Sequence, residues 1–205
     1  MKTIKLAILF LLASTILSAQ STDALYLKIS KVYGEVSSFQ AEIKQDNYYA
    51  QIKKSISYQG KIFFSKGKMV IRFEKPNFQR LMINGNSVSL YDAQSKTVFR
   101  SRMRPEFGKM NPVEILQHYW KKSKVTVLDK QGTLTSVQLI PYSDPLIASL
   151  TANISNKTGF VMYLSYTDVR GNKVGYNFSS IKTNAPINAS VWNYAYPKDV
   201  QMVEQ

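Results

Sequence analysis

GKIFFSKGKMVIRFEKP, residues Gly60–Pro76, is the stretch that decides the fold. Apolar side chains alternate on both sides of Lys66-Gly67-Lys68: Ile62 and Phe64 before it, Met69, Ile71 and Phe73 after it. Period two is the spacing of a strand with one buried face, and the basic Gly-containing triplet supplies the turn of a hairpin. The hairpin therefore has a greasy face and a charged tip. The same material continues on either side. Upstream, VSSFQAEIKQ (residues 36–45) sets Phe39, Ala41 and Ile43 on one face, residues 46–50 read as a loop, and a further strand enters at Gln51. Downstream, residues 78–83 read as a strand carrying Leu81 and Ile83, followed by the two-strand turn Asn84-Gly85-Asn86. Residues 88–92, with Leu90, and residues 97–100 form another short pair, and the arginine-bearing stretch 101–108 reads as a loop.

Two segments have helical spacing instead. Ser21 or Thr22 caps a helix over residues 23–33, with Leu25, Ile29 and Val32 on one side and Gly34 at its end. Asn111-Pro112 opens the second, with Pro112 at the first helical position and Val113, Leu116 and Trp120 along a stripe. Strands then resume over residues 125–128, 134–141, 146–154, 160–167 (with Met162 and Leu164), 174–181 (with Phe178) and 191–194. No linker, low-complexity block or repeat interrupts them. The pattern predicts a mainly β protein with a few helices: one antiparallel sheet, long enough to curl, with helices laid against it.

The first twenty residues stand apart. Lys2 and Lys5 precede an apolar run from Leu6 to Leu17, and Ser18-Ala19-Gln20 supplies small residues for cleavage, which predicts a signal peptide over residues 1–20. Residues 21–205 are then a single domain with a sizeable core. The chain has no Cys, so neither a disulfide nor a lipidated cysteine is expected, and a soluble periplasmic location follows. A net charge of +14 suits an anionic surface or an acidic partner as well as a plain solvated surface. Nucleic acid is not expected, because the chain reads as exported and carries none of the usual binding signatures.

Catalytic chemistry is scarce. The one histidine, His118, lies on a helix, and with no Cys a histidine-rich or thiolate metal site is excluded. No nucleophile elbow, P-loop or acidic cluster is present. No catalytic residue, cofactor or metal is expected, and binding remains.

Taken together, FQAEIKQ (39–45), the opening hairpin, INGNSVSLYD (83–92), QLIP (138–141), YTDVRGNKVGYNFSSIKTN (166–184) and YAYPKDV (194–200) resemble, in order, the LolA family of periplasmic lipoprotein carriers. The resemblance implies an incomplete, strongly curved antiparallel β-barrel (a half-barrel) closed by an α-helical lid over a hydrophobic cavity for acyl chains. It implies acylated lipoproteins as cargo, loading from an inner-membrane ABC release complex, delivery to an outer-membrane acceptor and action as a monomer. Phe39, Ile43, Ile62, Phe64, Met69, Ile71 and Phe73 are then candidates for the cavity lining. Leu81, Ile83, Leu90, Leu116, Trp120, Met162, Leu164 and Phe178 complete that set. The family has an Arg-Pro pair at the hairpin turn, where the arginine latches the lid. Lys66-Gly67 stands there instead, so Lys66 would latch without a planar fork. Arg72, Arg80, Arg100, Arg102 and Arg104 are candidates for docking to membrane partners.

Two alternatives keep the fold and change the role. One is a carrier of another acylated or glycolipid cargo, and the other a regulator that senses lipid or peptide. The known regulators of this shape have two domains, and no second domain is expected here after Gln205, which counts against that reading.

Overall fold

In the computed structural model, residues 22–65, 67–102 and 112–204 are described. Helix α1 covers residues 22–34 and helix α2 covers Pro112–Trp120. The strands are β1 (Ser38–Tyr49), β2 (Lys54–Ser65), β3 (Lys68–Lys75), β4 (Gln79–Asn84), β5 (Ser87–Asp92) and β6 (Thr97–Arg102) before α2. After it come β7 (Ser123–Gln131), β8 (Leu134–Pro141), β9 (Ile147–Ser155), β10 (Val161–Asp168), β11 (Lys173–Thr183) and β12 (Gln201–Glu204). They form one twelve-stranded sheet in the order β12-β6-β5-β4-β3-β2-β1-β11-β10-β9-β8-β7. The terminal strands β12 and β7 do not pair, so the sheet stays open.

The expected hairpin is β2–β3, paired from Ser65↔Lys68 back to Gln59↔Lys75. Its bend lies at Gly60, beside a register shift between Gln59 and Gly60. A Cβ at Gly60 would sit 1.9 Å from the Arg72 carbonyl oxygen, so only glycine lets the two backbones approach this closely.

Three readings of the sequence are corrected. Residues 46–49 are not a loop but the end of β1, because Tyr48 pairs with Lys173 on one side and Tyr49 with Lys54 on the other. Backbone ladders on both sides hold that polar stretch extended, where side-chain pattern alone suggests a turn. The strand after it correspondingly begins at Lys54, not Gln51. Residues 191–194 are not a strand either: a 3-10 turn, η1 (Ala189–Val191), stands there. The closing strand is instead β12, which pairs with β6 in parallel, while the other ladders among the described residues are antiparallel.

Residues 184–200 form a strap over the outer face, the face opposite the alternating apolar side chains. The Asn184 side chain accepts from the Ser37 backbone N–H (2.7 Å) and donates to the Glu35 carbonyl (3.1 Å), fixing the start of β1. Gln40 Nε2 donates to the Pro186 carbonyl (3.1 Å), and further along Arg80 Nη2 donates to the Val191 carbonyl (2.8 Å). The strap ends where the Gln201 N–H donates to Lys96 O (2.9 Å) and β12 begins.

The inner face carries two apolar clusters. In the first, Ile29 of α1 and Leu116 and Trp120 of α2 pack on Val137 and Leu139 (β8), Leu150, Ala152 and Ile154 (β9) and Val161 and Leu164 (β10). In the second, Phe39, Ala41 and Ile43 (β1), Ile62 (β2), Met69, Ile71 and Phe73 (β3), Ile83 (β4) and Phe178 (β11) come together.

Candidate functional site

Residues paired across an antiparallel ladder point to the same face, so the register turns the alternation of each strand into rows across the sheet. One row reads Ala41–Ile62–Ile71–Leu81–Leu90–Phe99 from β1 to β6. A second reads Phe39–Phe64–Met69–Ile83–Val88. Burial falls along the first row. Ile62 is 2% and Ile71 6% exposed, Leu81 and Leu90 are half-buried, and Phe99 is 37% exposed. An apolar band thus runs out from a packed middle to β6, one strand in from the β12 edge.

Where the second row meets the helices, a cavity of about 460 Å³ opens. Phe39 and Phe64 line one side with Val36, Tyr26, Ser30, Tyr33 and Gly34 of α1 line another, and Glu114 and Gln117 of α2 complete it. That size is within the range of small-molecule sites. Tyr33 holds the joint. Its ring lies 6.5 Å from Phe39 and 5.6 Å from Phe160, and it packs against both apolar clusters. Its hydroxyl accepts the Val161 backbone N–H at 3.1 Å. Burial drives the phenol pKa well above its ordinary value despite that bond, so the group stays neutral. The Ser30 Oγ, on the same wall, is buried and finds no partner among the described residues. The cavity therefore offers aromatic walls from Tyr26, Tyr33, Phe39 and Phe64, with polar groups from Ser30, Glu114 and Gln117.

The structure divides the predicted lining residues. Phe39, Ile43, Ile62, Met69, Ile71, Phe73, Ile83 and Phe178 form the second cluster, Phe64 and Leu81 pack on it, and Leu90 prolongs its row. Leu116, Trp120 and Leu164 are not with them. They belong to the first cluster, where Leu116 and Leu164 are fully buried and support the helices. Met162 belongs to neither, at the register shift between Val161 and Tyr163. The pattern of the chain pointed to the strands and missed Tyr26, Ser30 and Tyr33, which lie on a helix whose spacing reads simply as core-facing.

The predicted docking arginines are also dispersed. Arg72 pairs with Glu74 at 2.8 Å and Arg100 with Glu204 at 3.6 Å, while Arg102 is exposed. Arg80 is 2% exposed beneath the strap, which removes it from any docking surface. Lys66 and Arg104 lie outside the described residues. Among the described residues no helix is long and apolar enough to cross a membrane.

An open sheet with helices over part of its inner face, and a hollow where they meet, defines the half-barrel class of folds. The profile of the outer membrane lipoprotein carrier protein LolA matches residues 34–195, and the chain belongs to the LolA family, a family of carriers and not of enzymes. An outer-membrane lipoprotein carrier protein of Ralstonia nicotianae is 25% identical over 170 residues, 81% of this chain and 78% of that protein. Among solved structures, an uncharacterized conserved protein of Thermus thermophilus superposes with a TM-score of 0.59 at 13% identity, over 90% of this chain and 99% of that one. MucB superposes with a TM-score of 0.57 at 10% identity, over 90% of this chain and 66% of MucB. At such identities the likeness is one of fold.

Proposed function

We propose that the protein is a periplasmic carrier that shelters the acyl chains of lipoproteins on the inner face of its sheet and moves them from the inner to the outer membrane. The observation that carries the proposal is the apolar band from Ile62 to Phe99, which leads out of the packed middle; a separate hollow beside Phe39 and Phe64 lies against the helices on the same face. Each CH₂ removed from water contributes about 0.8 kcal/mol, so covering ten of them is worth on the order of 8 kcal/mol. Without such cover an acylated protein does not leave its bilayer at a useful rate. The guest must also be released, and a surface of graded exposure suits that better than a sealed core. In this reading residues 1–20 direct export and are removed, an inner-membrane ABC complex loads the carrier, and an outer-membrane acceptor unloads it. Lys66 steadies the closed state, and Lys66→Leu with unchanged loading and release would remove it from the scheme.

The test is to purify the exported chain from membranes under mild conditions and identify co-purifying molecules by mass spectrometry. Acylated proteins, lost when Leu90 and Leu81 are both replaced by Asp, support the carrier. Free glycolipid alone moves the function to lipid transport, and a hollow that is always empty ends the carrier reading.

A further inference from the structure

On the outer face, away from the apolar band, a second cavity of about 330 Å³ lies between β4–β6 and the strap. Arg80 and Arg100 line it with Ser89, Trp192, Tyr194 and Tyr196, and among the described residues no acidic side chain contributes to the wall. Strand alternation puts them together. Arg80 points outward because its neighbour Leu81 points inward, and the ladder sets Ser89 directly beside Arg100.

Arg80 is the unusual member. A guanidinium keeps its charge at any physiological pH, and a buried charge is costly unless it is matched. Among the described residues no carboxylate pairs with Arg80. Its contacts include the Val191 carbonyl at 2.8 Å, the face of the Tyr194 ring at 5.2 Å and the Met82 sulfur at 3.5 Å. Arg72 lies beside it in the ladder and adds a like charge. Burial lowers its pKa; Tyr196, through a hydrogen bond and its charge, and Tyr194 work in the opposite direction, and Arg72 adds to the fall. Arg100 has a loose counter-ion: Glu204 is 3.6 Å away on the edge strand, and its side chain is 72% exposed.

We propose that this outer-face pocket binds a phosphate group, carried either by a phospholipid head group or by free phosphate. Guanidinium groups pair with phosphate in fork geometry, and the Ser89 hydroxyl adds a neutral donor where a phosphate presents several acceptor oxygens. Around Arg80, which is buried, the aromatic side chains limit contact with water and so strengthen its pull on an anion, while Arg100 reaches the pocket from its solvent side. The site is on the face opposite the acyl hollow and does not depend on the carrier reading.

Trp192 provides a local reporter, since the chain has two tryptophans and the other, Trp120, is in the first apolar cluster. The full mature chain is titrated separately with inorganic phosphate and with dihexanoylphosphatidylglycerol, at ionic strength held constant with sodium chloride. A saturable change in emission is expected, absent in Trp192→Phe. Arg100→Gln, at a half-exposed side chain, should weaken binding about tenfold or more. Glu204→Gln should tighten it, because the competing carboxylate is gone; a purely structural role for the arginine would not produce that opposite sign. Equal affinity for the two probes assigns the site to free phosphate, and tighter binding of the lipid assigns it to a head group. A flat titration with both probes overturns the proposal, as does a response indifferent to Arg100→Gln.

Discussion

The two halves of the inner face use the same alternating side chains to opposite ends. Over β8–β10, Val137, Leu139, Ala152, Ile154 and Leu164 lie under α1 and α2 with no residual exposure above 1%. Over β3–β6 the rows continue with equally apolar residues, yet Leu81, Leu90 and Phe99 retain access to solvent. Interiors reach crystal-like density only where both sides of an interface are supplied. The helices supply the second side in the first half, making it scaffold, and the described residues leave part of the other half's apolar surface accessible, which is the surface the proposed carrier role would use.

The strongest way to break the comparison is at the Gly60 bend of β2, inside the open half's own strands. Gly60→Ala drives a methyl into the Arg72 carbonyl, a backbone atom that moves only if β3 moves. The expected loss is more than about 4 kcal/mol, with a collapsed urea midpoint or no soluble protein. A loss under about 1 kcal/mol would mean that β2 and β3 separate easily there and that the bend is not fixed by glycine.

A matched pair of truncations sharpens the contrast. Leu150→Ala, in the closed half, should cost about 2–5 kcal/mol and leave the affinity for an acylated peptide unchanged in the folded fraction. Leu90→Ala, in the open half, should cost less than about 1.5 kcal/mol of stability and weaken acyl binding several-fold. If both substitutions moved stability and binding alike, the inner face would be one continuous core.

Tyr33→Phe tests the seam. It strips the acceptor from the Val161 N–H and should destabilise by about 1–2 kcal/mol, read from the urea midpoint, while keeping the aromatic contacts with Phe39 and Phe160.

Local pattern carries far along this chain. The hairpin around Gly67, the strand Leu134–Pro141 and the helix opened by Pro112 are all set by residues close in sequence. Features set by distant partners were hidden. The end of β1 is held by Lys173, more than a hundred residues away, and β12 by β6. The division of the apolar residues into packed and accessible depends on where two helices settle, and alternation contains no information about that. Arg80 reads as a surface charge because its cover is the strap, whose own sequence, Val-Trp-Asn-Tyr at 191–194, suggests an ordinary strand. Tyr33 is legible as a helix residue but not as a seam, since its role comes from contacts with both clusters at once.

The smallest expected effect concerns acid, and it separates the halves by a titrating group in each. In the closed half, Asp144 receives the N–H groups of Leu146 and Ile147 (2.8 and 2.7 Å) and the Tyr119 hydroxyl (2.8 Å). Burial opposes its charge, but these three bonds outweigh the penalty, so its carboxyl titrates below the ordinary aspartate value. In the open half, Asp92 is lowered by the Ser95 N–H, with Gln79 and the Gln94 N–H adding to the effect against some burial. A depressed folded pKa means that the unfolded chain takes up its proton first as pH falls. Both contributions are therefore complete above about pH 4, the unfolded aspartate value, and are lost as pH drops through each folded pKa. Asp144→Asn should lower stability at neutral pH and flatten the acid loss as read by Trp120, on the helix that carries Tyr119. Asp92→Asn should flatten it in the emission of Trp192 in the strap and leave Trp120 as it was. If both tryptophans responded identically to either substitution, the halves would unfold in acid as one unit, and the division between scaffold and site would be one of exposure without independent stability.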